Sequence, residues 1–120
     1  MFTLEYTIIG LTSSDLTYAL CAPVDMRIES AYIISQLAIS ASASPKLVCE
    51  VYADDDATVI FSADSEASGF GLRTPVALAA GVGSKRYEAG EKVEIKADVT
   101  GTHSATDVTF VLKCVPARDI

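Results

Sequence analysis

The chain contains no tryptophan and no asparagine, one histidine (His103) and three cysteines in 120 residues. Without asparagine there is no N-glycosylation acceptor and no Asn-Gly hairpin turn. Without tryptophan, and with tyrosines scattered singly, the aromatic platform on which sugars stack is poorly supplied. A single histidine gives a cupin-like metalloenzyme, which uses several, little to build on. Cys21, Cys49 and Cys114 allow at most one disulfide, and no C-x-x-C motif appears, so zinc-binding and thioredoxin-like readings lack support. Cys49 and Cys114 fall in phase with apolar neighbours, which predicts two buried, reduced thiols and an unpaired Cys21. A disulfide between two facing strands is the alternative.

Basic residues are also scarce. Nine Lys and Arg stand against sixteen Asp and Glu, a net charge of −7, and Lys85-Arg86 is the only adjacent basic pair. Phosphate-driven nucleic-acid binding is therefore excluded as a leading function. An acidic balance keeps a chain dispersed and leaves a basic protein surface open as a partner. The longest uncharged stretch, Ser30 to Pro45, is interrupted by serines and is shorter than the ~20 residues of a membrane helix. Met1 to Glu5 has no basic n-region, so no signal peptide is expected and the chain reads as a cytoplasmic product, released by lysis if at all.

What is present is period-two alternation. Val93-Glu94-Ile95-Lys96-Ala97-Asp98-Val99 is the clearest case, one face for a core and one for water. Phe2 to Ile8, Leu47 to Tyr52 and Val108 to Cys114 repeat it. Thr17 to Ala22, Met26 to about Ile39 and Thr58 to Phe61 read as further strands. Leu72 to Ala80 is demoted to an edge or bulge by Pro75. Ser62 to Gly71 reads as a polar connection, and Tyr87 to Glu91 as a turn. About eight strands and no helix result. This predicts an all-β, single-domain antiparallel β-sandwich over residues 1–120, with Val93, Ile95, Val99, Phe110 and Leu112 facing inward.

One strand breaks the alternation. Ala31 and Ile33 on one face and Tyr32 and Ile34 on the other are all apolar or aromatic, and Leu37 and Ile39 continue the first face. Such a strand needs cover on both sides. The cover is either the Ser62–Gly71 connection or another protein chain.

No catalytic constellation stands out. His103 lies in a Thr-Gly-Thr-His-Ser-Ala-Thr loop with no orienting partner in sequence. Asp54-Asp55-Asp56 could hold a hard cation, but lacks EF-hand spacing and reads more simply as an acidic hairpin tip. Gly69-Phe70-Gly71 and Gly81-Val82-Gly83 match no phosphate-loop pattern and serve as backbone punctuation. No cofactor and no catalytic or metal-binding residue is expected.

Two segments resemble small jelly-roll proteins. Tyr87-Glu88-Ala89-Gly90-Glu91-Lys92-Val93-Glu94-Ile95 is similar to an A-G-[DE]-x-[VI]-x-[VI] turn and strand. Ala22-Pro23-Val24-Asp25-Met26-Arg27-Ile28-Glu29-Ser30-Ala31 is similar to an apolar-P-x-D-x-[KR]-I-x-x-A strand start. Together with the last strand, over residues 17 to 116, their order resembles the decoration, or cement, proteins of tailed bacteriophages. The resemblance implies a jelly-roll fold and a non-enzymatic virion protein on the capsid exterior. Its implied partner is the major capsid protein, with three copies meeting around a symmetry axis. Residues from the patterning expected near such contacts are Phe2, Leu4, Tyr6, Ala31, Ile33, Leu37 and Ile39. The other reading from the residues is a receptor- or glycan-binding module, for which Tyr18, Tyr52, Phe70 and Tyr87 are the available aromatics.

Overall fold

The computed structural model describes residues 1–55 and 57–116. Ten strands follow one another: β1 (Phe2–Leu11), β2 (Leu16–Cys21), β3 (Met26–Ser35), β4 (Lys46–Tyr52), β5 (Val59–Asp64), β6 (Val76–Ala77), β7 (Ala79–Ala80), β8 (Arg86–Tyr87), β9 (Lys92–Thr100) and β10 (Thr106–Pro116). They form two antiparallel five-stranded sheets, with no helix among the described residues. The first sheet runs β1-β10-β3, and both β6 and β8 pair with the far edge of β3. The second runs β2-β9-β4-β5-β7. With β6 and β8 taken as halves of one broken strand, this is the strand order of a jelly roll. The all-β sandwich read from the alternation is the observed fold.

The two inner faces meet in one apolar layer. The first sheet contributes Ile8, Met26, Ile28, Ala31, Ile33, Val108, Phe110, Leu112 and Cys114; the second contributes Leu47, Cys49, Val51, Ile60, Val93, Ile95 and Ala97. These positions alternate with less buried ones along each strand, as period two requires. Each large aliphatic so covered contributes roughly 1.5–3 kcal/mol. Of the five expected core residues, Val93, Ile95, Phe110 and Leu112 are fully buried, and Val99 packs partly exposed near the end of β9. Cys49 and Cys114 are buried free thiols, and Cys21 is exposed and free.

Two crossovers between the sheets are tied together at one end. Ala22 donates its N–H to the Glu91 carbonyl (2.9 Å), and Gly90 donates to the Ala22 carbonyl (2.8 Å). The Asp25 carboxylate accepts from the Ala89 N–H (2.9 Å), and the Glu91 carboxylate from the Glu88 N–H (2.6 Å). Gly90 sits at φ 88°, a left-handed conformation that favours glycine. The Ala22–Asp25 and Tyr87–Glu91 segments, far apart in sequence, are thus the two halves of one clamp.

The structure departs from the sequence reading at several boundaries. The strand expected to run to about Ile39 stops at Ser35. The Ser35 hydroxyl donates to the Leu37 carbonyl (2.6 Å) and also meets the Thr106 hydroxyl (3.2 Å), so the chain turns over its own side chain. Ile39 then forms an isolated bridge with Phe70, and a Cβ at Gly69 would run into the Ile39 carbonyl. Ser62 to Asp64, read as connection, completes β5. The Pro75 region splits: β6 joins the first sheet and β7 the second, with the buried Leu78 between them. Tyr87, read as a turn residue, lies in β8; its ring is buried and its hydroxyl donates to the Tyr52 carbonyl (2.5 Å).

Phe110→Ala should lower unfolding free energy in urea by about 3–5 kcal/mol, through lost transfer energy and a cavity. Asp25→Ala, which removes one exposed clamp bond, should cost about 0.5–1.5 kcal/mol. Burial raises the Cys49 thiol well above its ordinary pKa and the Cys114 thiol to about 11. Native alkylation at neutral pH should therefore modify Cys21 alone, whereas denatured protein takes up label at all three. A native mass two protons short would contradict the free-thiol state.

Candidate docking face

The residues that alternate with the core point outward, and here the two sheets differ. Across the first sheet the pairing aligns Thr3–Lys113–Ser30, then Glu5–Val111–Tyr32–Ala77, then Thr7–Thr109–Ile34. Glu5 and Lys113 are the acidic and basic residues in those rows, and the next row, Val115–Arg27–Arg86, adds two arginines. The Lys113 ammonium lies over the Tyr32 ring, 5.2 Å from its centroid, so its stem covers apolar surface. The Thr7 and Thr109 hydroxyls bond to each other (2.9 Å). Tyr32, Ile34 and Val111 remain half-buried, with no other strand stacked over them among the described residues.

The second sheet carries charge on its outer face. Pairing aligns Thr17–Lys96–Glu50–Ser62 and Asp98–Val48–Asp64, with Lys46 opposite Thr100. Lys46 bonds Glu66 (2.9 Å) and Asp64 (3.3 Å), and these carboxylates raise its pKa, Glu66 first. Exposed pairs of this kind add little stability. What they do is keep that face hydrated, leaving the Tyr32, Ile34, Val111, Thr7 and Thr109 patch of the first sheet as the surface better suited to a protein partner.

The residues expected at contacts are dispersed by the fold. Ala31 and Ile33 face the second sheet and are fully buried in the chain's own core, so the cover their face needs comes from within. This corrects their placing at a partner contact: the two-sided strand is real, but its open side carries Tyr32 and Ile34. Ile39 is buried against Phe70. The Ser62–Gly71 connection therefore covers Ile39 through Phe70 but does not lie over Tyr32. Leu37 is 41% exposed at the end of the sandwich. Phe2, Leu4 and Tyr6 are half-buried along β1. The signal for the outer face was present in the non-core phase of β1, β3 and β10, where Thr3, Thr7, Tyr32, Ile34, Thr109 and Val111 outnumber the charged Glu5, Arg27, Asp107 and Lys113, whereas that of β9 is charged at Lys92, Glu94, Lys96 and Asp98.

Leu37 and Ile39 border a cavity of about 580 Å³ with Pro45, Ser42, His103 and Thr106. Its principal polar groups are engaged by the chain. His103 Nε2 donates to the Lys46 carbonyl (2.8 Å), and the Thr106 hydroxyl accepts from the Leu37 N–H (3.2 Å). His103 is thus a loop anchor. Phe70 and Tyr87, two of the four aromatics available for a sugar, lie in the core; Tyr18 packs against Tyr6, and Tyr52 is half-buried.

The acidic tip is a built turn. Asp55 accepts from the Ala57 and Thr58 N–H groups (both 2.9 Å) and from the Thr58 hydroxyl (2.7 Å), and these bonds lower its pKa. Asp54 is raised, first by desolvation and then by the neighbouring Glu91. Asp56 lies outside the described residues. No group of three or more His, Cys, Asp or Glu gathers as a metal set among the described residues.

No family model matches this chain, and no curated protein does. Among solved structures, it is similar to a chain in the structure of the infectious bursal disease virus Gx strain, at 14% identity and a TM-score of 0.35. The match covers 92% of this chain and 32% of that one, so this chain spans about a third of its length.

The opposite shifts of Asp54 and Asp55 have opposite signs in stability. Asp55, lowered in the folded state, contributes stability at neutral pH that is lost as pH falls through its folded pKa. Asp54, raised, disfavours the folded state at neutral pH and is relieved as pH falls through its raised pKa. Asp54→Asn should therefore raise the thermal midpoint at pH 7, with the gain fading as pH falls through the raised pKa of Asp54 and then its unfolded value of about 3.9. A gain independent of pH would contradict this.

Proposed function

We propose that the chain is a non-enzymatic structural protein that binds the outside of a phage capsid and braces contacts between capsid subunits. The observation that carries the reading is the contrast between the outer faces: an apolar and hydroxyl patch of Thr7, Thr109, Tyr32, Ile34 and Val111, edged by Glu5, Lys113 and Arg27, on one sheet, and the interspersed charges of Lys46, Glu50, Lys96 and Asp98 on the other. A protein-facing surface is depleted of charge at its centre and enriched in tyrosine, and Tyr32 sits at the centre of this one. The resemblance of Ala22–Ala31 and Tyr87–Ile95 to decoration proteins supplies the partner, the major capsid protein.

Size bears on how such a protein holds. Three strands over about seven residues offer roughly 14 by 24 Å of face. That is small beside the ~800 Å² per partner of a free-standing interface. Binding of several copies at repeated sites around a symmetry axis lets weak contacts add up.

Purified particles carrying this polypeptide at high copy number are the expected finding; its absence, or a handful of copies, would overturn the reading. Ile34→Asp should leave the fold intact, since the side chain points away from the core, and should reduce particle occupancy at least tenfold. Full occupancy by a folded Ile34→Asp protein would move the contact elsewhere.

A further inference from the structure

The sandwich is open along one side. β1 pairs only with β10, and β2 only with β9, among the described residues, so one long free edge from each sheet lies on the same flank. On the opposite flank the edges are the two-residue strands β6, β7 and β8, broken by Pro75. Short, interrupted edges are how sheets avoid pairing with other chains. The β1/β2 flank is less protected: β1 is ten residues long, without proline, carries one charged side chain, Glu5, and is irregular only near its end, between Ile8 and Leu11.

Between these edges the inner layer is unfinished. Phe2, Leu4 and Tyr6 on β1 and Leu16, Tyr18 and Leu20 on β2 occupy core-facing phases, yet all remain only partly buried. The Tyr6 and Tyr18 rings touch across the gap, with centroids 4.8 Å apart and planes at 37°. Beyond them, Ile9 is 72% exposed.

We infer that a second copy of this chain closes this flank, joining β1 to β1 across a two-fold axis perpendicular to the sheets. Three features select that occupant. A single added strand from a peptide would satisfy one free edge and leave the other; a second sandwich meets both edges and covers the seam at once. A two-fold axis makes neighbouring edge strands antiparallel and uses one patch on both copies, so the assembly closes at two. Finally, a chain of net charge −7 meets itself with least repulsion where carboxylates are few, and the inner layer between these edges is Phe2, Leu4, Tyr6, Leu16, Tyr18 and Leu20, with Glu5 the one carboxylate on β1. Registers with Glu5 opposite Thr3 or Thr7 of the other copy keep the two carboxylates from facing directly. The pairing would place the outer faces of the two first sheets side by side. It does not depend on the capsid reading, and it differs from the three-fold arrangement that the resemblance implies.

The test is sedimentation equilibrium of the whole chain in solution, without particles. The expected mass is twice 12.6 kDa, and Leu4→Glu and Tyr18→Glu should each return it to the monomer with an unchanged far-ultraviolet spectrum. A monomer at every concentration, a trimer, or a dimer indifferent to both folded variants would overturn the inference. Should the variants unfold, hydrogen exchange on the unaltered chain decides. Amides of β1 and β2 should gain protection with rising protein concentration while those of β6 to β8 do not. Equal protection at all concentrations would overturn it. None of these results bears on particle binding, so this inference and the capsid reading can fail separately.

Discussion

Nearly every connection in this chain carries it from one sheet to the other, and this constraint governs the rest of the structure. Only β4 and β5 are both consecutive in sequence and paired in space. All other pairings join strands distant along the chain, such as β1 with β10 and β2 with β9. Neither sheet can be completed by local hairpins. The two form together, through the apolar layer of Ile33, Phe110 and Leu112 against Leu47, Val51 and Ile95. The entropy of closing these long loops is offset only when that layer is buried.

The clamp between Ala22–Asp25 and Tyr87–Glu91 follows from the same constraint. One segment leads from the second sheet to the first, the other back again, and both turn at the same end. Turning chain leaves backbone groups without ladder partners, and burial would make each of them costly. Ala22, Ala89 and Gly90 satisfy one another and Asp25 across the gap instead. At the other end Ser35, Thr106 and Ser65 do similar work with side-chain hydroxyls. No buried side-chain nitrogen or oxygen lacks a partner among the described residues.

With the interior committed to packing and the loop polar groups committed to holding turns, the unspent chemistry lies on the outside. It is distributed unevenly. One outer face carries charges throughout, one holds a hydroxyl and apolar patch between charged residues, one flank is blunted and one is open. The proposed roles use these asymmetries separately, the apolar and hydroxyl patch for a larger partner and the open flank for a second copy. Both are roles of contact area, consistent with a sandwich whose histidine and acidic tip are occupied by the chain's own backbone.

Alternation alone was enough to determine the long alternating strands and their inward faces. Val93 to Val99 and Val108 to Cys114 bury the residues that period two selects, because a pleated strand sends neighbouring side chains to opposite sides whatever its partners are. Two-residue strands carry no period, so Tyr87 reads as the start of a turn, and Val76 to Ala80 could not be divided between sheets. The sequence also marked Ala31 to Ile34 as apolar on both faces, but not which face was the inner one. That depended on the neighbours β10 and β6 and on the sheet stacked opposite. The same holds for the outer face and the open flank: Thr7, Thr109 and Ile34 lie far apart along the chain, and only the fold sets them in one row. Pattern along a strand is local, whereas a surface is made of strands that meet only after the chain has crossed from sheet to sheet.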